Sequence, residues 1–163
     1  MTDEKKQEFT LRISQANQSQ LIVILYELFF FYIEEAERYS GKNSVAFGKE
    51  LGKAHDCLGE LIASLHTDHE NEQVRKLAGA ILKVYFFVSA RLGAAMGSGK
   101  KEPLADAVIQ MRRLYEIYKK DAKNDTTGPV MGHTQTVYAG LTYGKSNLNV
   151  SCEDGGAGRG FYA

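Results

Sequence analysis

The chain has 163 residues, with 20 basic and 20 acidic side chains and a formal net charge of zero. That length suits one ordinary domain, and a hydrophobic share of 44% can bury a core. The balanced charge argues against nucleic acid or an anionic membrane as the main partner, because both need a basic footprint.

The first residues, 1–8, are charged and polar and contain no apolar signal region. A first helix is predicted at about 18–40. Asn17 is placed to cap it, with Gln20 at the capping-box position and Gly41 just past its end. Leu21, Leu25, Leu28, Tyr32 and Ala36 fall in one register along it. A second helix is predicted at about 45–65, started by Asn43 or Ser44. Its stripe is Phe47, Leu51, Ala54, Leu58, Leu61 and Leu65. The polar residues 67–71 break the pattern before a third helix at about 71–96. There Val74, Ala78, Ile81, Tyr85, Val88, Leu92 and Ala95 repeat the steps of three and four. Gly97, Ser98 and Gly99 end it. Pro103 suits the first turn of a fourth helix at about 103–123, striped by Leu104, Val108, Met111, Tyr115, Tyr118 and Ala122. Steps alternating between three and four keep one stripe on one side of a helix. Short links between such helices make neighbours antiparallel, so the expected fold is all-α: an antiparallel up-and-down four-helix bundle over residues 1–123.

Eight of the sixteen glycines lie after residue 123. That shift marks 124–163 as a loop-like, glycine-rich tail. It still holds Val130, Met131, Val137, Tyr138, Leu141, Tyr143 and Leu148, so two readings are open: a partly ordered tail, or a segment that packs on the bundle as a lid.

The first helix carries more apolar surface than one core can take. Glu27 is the only charge within residues 21–33, and Ile22, Val23, Ile24, Tyr26, Phe29, Phe30 and Phe31 cannot all face the same way. Val84, Tyr85, Phe86, Phe87 and Val88 repeat this on the third helix. Two readings are open. Either these helices are central and covered by the protein's own chain, or they form a groove for an apolar helical partner.

Signals for chemistry are poor. His66 and His69 are three apart with His55 upstream, yet no histidine has Glu three residues before it, as bundle metal sites require. The stretch GAAMGSGKK at 93–101 has five residues between Gly93 and Gly99 where a phosphate loop has four. Lys101 stands where Ser or Thr belongs, and a helix precedes it. No nucleophile motif is recognisable. Cys57 and Cys152 form neither a disulfide framework nor a zinc set. The triplets at Asn124 and Asn149 are chance matches to the glycosylation pattern without a secretory signal. The expectation is a cytoplasmic protein with no cofactor, no metal, no membrane span and no catalysis. Residues 21–33 are too short to cross a bilayer.

Three segments resemble one family in order. Ile13-x-x-Ala16-Asn17-x-x-x-Leu21-Ile22-x-Ile24-Leu25-Tyr26-Glu27 resembles the start of the first long helix of the FliS flagellar-export chaperones, roughly V-x-T-A-S/T-P-x-x-L-x-x-M-L-Y-D/E. Residues 84–95 are similar to that family's L-Y-x-Y-M-x-x-R-L-x-x-A. Leu114-x-x-x-Tyr118 is similar to its L-x-x-x-W. The resemblance spans about 9–123. Gln18 replaces the family's helix-opening proline, Glu8 aligns with its N-terminal tyrosine beside Phe9, Phe87 replaces its second tyrosine, and Tyr118 replaces its tryptophan.

The resemblance implies a bacterial cytosolic chaperone. It would bind the C-terminal helical segment of flagellin, prevent premature polymerisation and present the client to the type III export apparatus. The alternative is a helical adaptor for another amphipathic partner. Candidate partner-binding residues are Ile13, Leu21, Ile22, Leu25, Tyr26, Phe29, Phe30, Val84, Tyr85, Phe87, Val88 and Leu92. Leu11 and Ile13, or the tail, would occupy the groove when no client is present.

Overall fold

A computed structural model describes residues 2–131. The stretch 132–163 lies outside the described residues, and with it Cys152, the Asn149 triplet and most of the candidate lid. Five helices run in order: α1 Asp3–Gln15, α2 Gln18–Tyr39, α3 Ser44–Ala63, α4 Glu72–Ser98 and α5 Leu104–Asn124. No strand occurs among the described residues, so that part of the chain is all-α as expected.

The helix ends obey local chemistry. Asn17 and Gln20 form a reciprocal capping box on α2. Asn43 caps α3 through the Ala46 N–H at 3.0 Å, and Asn71 caps α4 through the N–H of Gln73 and Val74. Gly99 closes α4 in the left-handed region, at φ 67°, which costs a residue without Cβ nothing.

α1 corrects the expectation of four helices. Thr2 caps it, Asp3 and Glu4 occupy its first turn and Arg12 its last, all favourable to the helix dipole. None of its residues is buried. A segment that fills no core position leaves no strong apolar stripe, so periodicity passes over it.

α2 packs on α3 and α5, α4 packs on the same two helices, and α1 touches α2. The enclosed core is built from Tyr26, Phe29, Phe47, Leu51, Leu58, Leu61, Tyr85, Val88, Leu92, Leu104 and Met111, all essentially inaccessible. Burying each of the large aliphatic and aromatic side chains among them contributes roughly 1.5–3 kcal/mol.

On α3, five of the six expected stripe residues are fully buried and Leu65 packs against the core from its edge. On α2 the stripe is displaced. Leu21, Leu25, Leu28 and Tyr32 are half-buried, while Val23, Ile24, Tyr26, Phe29, Phe30 and Ile33 are buried. Only Ala36 belongs to both sets. A helix that is apolar nearly all round offers several stripes of similar quality, and only packing chooses among them.

Candidate functional site

The twelve candidate residues divide evenly. Tyr26, Phe29, Phe30, Tyr85, Val88 and Leu92 are buried inside the helical core. Leu21, Ile22, Leu25, Ile13 and Val84 are half-buried, and Phe87 is 38% exposed. The first six hold the helices together, and only the second six offer area to a partner.

The buried set is tied by a polar pair within an apolar frame. The Tyr26 and Tyr85 hydroxyls lie 2.7 Å apart, bridging α2 and α4. Tyr118 of α5 stacks at a tilt on Tyr26, with ring centroids 5.6 Å apart. Burial pushes the Tyr26, Tyr85 and Tyr118 hydroxyls above the ordinary tyrosine range. They stay neutral and hydrogen-bonded, as buried hydroxyls must.

Spare apolar surface concentrates on α4 and α5. Leu77 is 63% exposed, Phe86 58% and Ile117 57%. Leu77, Val84 and Phe87 share one side of α4 by helical spacing, as Gln110, Leu114 and Ile117 do on α5. The two sides meet, since Lys83, Val84, Phe87 and Gln110 line one groove. The Arg91 guanidinium lies 5.0 Å over the Phe87 ring and 3.5 Å from the Asp106 carboxylate of α5, closing one end. By length and composition α4 could also cross a membrane, yet here Ala78, Tyr85, Val88, Leu92 and Ala95 are buried in the core. Sequence reasoning finds Val84 and Phe87 of this groove but misses Leu77 and Ile117. Their signal is present in the chain: large apolar residues off the core stripe, seven apart from Val84 and from Gln110.

α1 folds back antiparallel along α2. Arg12 pairs with Glu27 at 2.6 Å, and the Lys5 ammonium lies 4.8 Å over the Phe31 ring. Glu27 also accepts a hydrogen bond from the Tyr115 hydroxyl of α5 at 3.2 Å. The one charge within the apolar run of α2 is therefore where α1 and α5 attach. Beside this junction α1, α2 and α5 leave a cavity of about 520 Å³, with Val23 and Ile24 in its wall and Lys119 and Lys123 at its α5 side.

Cys57 is buried on α3, and desolvation first, then the neighbouring Asp56 carboxylate, pushes its thiol from 9.0 up to about 11. The thiolate is the reactive form. In a Cys152→Ser variant at pH 9, Cys57 should therefore react with Ellman's reagent ~50-fold slower than an unperturbed thiol, from the loss of thiolate alone. Because the folded pKa is raised, this group's contribution to stability is complete below pH 9.0 and is lost as pH rises toward about 11. Labelling at the free-thiol rate in the folded protein would contradict the burial.

The geometry defines an all-α protein whose core lies among four long helices, with apolar surface left outside it on α4 and α5. The chain belongs to the FliS family: the family's sequence model, described as flagellar protein FliS, matches residues 1–125. This is a family of flagellar chaperones. The match spans all five helices and ends at Asp125. No curated protein matches the chain.

Proposed function

We propose that this protein is a cytoplasmic flagellar export chaperone that binds the C-terminal helical segment of flagellin. It holds that segment until it is handed to the type III export apparatus, without catalysis, cofactor or metal. In this reading α2–α5 form an antiparallel up-and-down bundle within one domain, and residues 124–163 are its tail.

The observation that carries the reading is the groove between α4 and α5. Val84 and Phe87 of α4 line it opposite Gln110 of α5, and the exposed Leu77 and Ile117 lie seven residues further along the same helix sides. An amphipathic helix laid there covers its own apolar face against Val84 and Phe87 and reaches Leu77 and Ile117 at the groove's far end. Burial of apolar area, at roughly 25 cal/mol per Å², offsets the cost of ordering the client, so no nucleotide is needed. Ile13, Leu21, Ile22 and Leu25 are the further candidates with accessible area, on α1 and α2.

The test is calorimetric titration of the full chain with the C-terminal segment of a flagellin from the same genome. One-to-one binding with a large negative heat-capacity change is expected, as apolar burial with coupled folding produces. Absence of heat at several temperatures, together with an unchanged circular-dichroism spectrum of the segment, would remove flagellin as the client.

A further inference from the structure

The seven residues after α5 do not leave the molecule. They cross the junction of α1 and α2 and are bonded to it at four points. The Asn17 side-chain amide donates to the Asp125 carbonyl at 3.2 Å and to the Thr127 carbonyl at 3.3 Å. The Ser19 hydroxyl donates to the Asp125 carboxylate. The Val130 N–H donates to the Ala16 carbonyl at 3.0 Å.

Besides the paired tyrosines, Asn17 is the one buried polar side chain among the described residues, 2% exposed. Its side-chain oxygen caps α2 by accepting from the Gln20 N–H at 2.9 Å. That leaves its two amide protons, which would be costly to bury unpaired, and the carbonyls of 125 and 127 take both. The segment is shaped for this, since Asp125 folds it by accepting from the Thr127 N–H at 3.0 Å and the Thr127 hydroxyl at 2.6 Å. Residues 16 and 17 are the only link between α1 and α2. α1 itself buries no residue and is held along α2 chiefly by the Arg12–Glu27 pair and the Lys5–Phe31 contact. Such side-on contacts at partly exposed groups are weak.

We propose that residues 125–131 are a strap that fixes the α1–α2 junction, so that α1 stays down on α2 only while the strap is bound. The strap makes the position of α1, and access to Ile24, Glu27 and Phe31 beneath it, depend on the C-terminal side of the chain. As regulation of partner access the proposal rests on the chaperone reading above. As a coupling between the two ends of the chain it does not.

The experiment is amide hydrogen exchange on the free full-length protein, with no client present, so its outcome is separate from whether flagellin binds. Two variants cut the strap. Asn17→Asp keeps the capping oxygen but replaces the donor amide by a carboxylate facing two carbonyls. Asp125→Ala removes the anchor for Ser19 and Thr127 beyond the end of α5 and leaves the α2 cap intact. In both, amides of α1 should exchange roughly tenfold faster than in the parent, the effect of losing about one net hydrogen bond's worth of closure. Amides of α3 should keep their parent rates. The proposal is overturned by α1 exchange equal to the parent's in Asp125→Ala, by α3 accelerating in step with α1 in that variant, or by α1 of the parent already exchanging at unfolded rates.

Discussion

Replacing Phe87 by glutamate is expected to weaken binding of the flagellin segment by ~30-fold to ~1000-fold while leaving the bundle folded. Phe87 sits in the α4–α5 groove with Val84, outside the core cluster, and is 38% exposed. A bound helix would cover it, and a carboxylate there, even paired with the Arg91 or Lys83 side chain beside it, removes the apolar ring and sets a charge to be desolvated against the client's apolar face. Losses of about 2–4 kcal/mol are typical when a central apolar anchor of an interface is removed, which sets the expected fold-change. Folding stability should fall by only about 1 kcal/mol, since the ring is partly covered and packs under Arg91 but lies outside the core cluster. Leu77→Glu, at the other end of the stripe and 63% exposed, should act in the same direction. Titration and thermal melting of both variants separate the two effects. Full affinity in both would move the client to another face, with Leu21, Ile22 and Leu25 on α2 next to be tested.

Helix ends are legible from sequence because they depend on neighbours three or four residues away. Asn17 with Gln20, Asn43, Asn71 and Gly99 act where local chemistry puts them. The stripe of α3 is legible for a related reason. Its apolar residues stand among polar ones, so only one face can be buried. Two other features have no local signature. α1 contributes nothing to the core, and its attachment uses an ion pair and a ring contact with residues 15 to 26 positions away in the chain. The strap joins residues 106 to 114 apart. Glycine content marks a boundary near residue 123, where α5 does end, but carries no sign that the next seven residues are bonded back to Asn17 and Ser19. The candidate site is half legible for the same reason. Composition shows that α2 and α4 carry too much apolar surface, but which residues stay outside depends on the packed register.

That register can be tested in α2. The sequence stripe contains Leu28, whereas the structure buries Phe29 completely and leaves Leu28 half-buried. Phe29 packs edge-on to Phe30 with centroids 5.7 Å apart and belongs to the cluster that joins all four long helices. Phe29→Ala should therefore cost about 3–5 kcal/mol, the usual result of emptying a buried aromatic site whose walls cannot collapse. Against a total of about 5–15 kcal/mol for a domain, that is enough to unfold a marginal chain at physiological temperature. Leu28→Ala removes a side chain that water already reaches, so only part of its transfer energy is lost, about 1 kcal/mol. Urea unfolding of the two variants side by side gives the answer as a ratio, which is less sensitive to extrapolation than either value. A larger loss for Leu28 than for Phe29 would mean that α2 is rotated by about 100° from this arrangement, one residue's turn of a helix. Such a rotation would bring Leu25, Leu28 and Tyr32 inward, carry Glu27 away from Arg12 and Tyr115, and leave α1 without its anchor. Burial of Phe29 and attachment of α1 are thus one choice of register, made by the same helix.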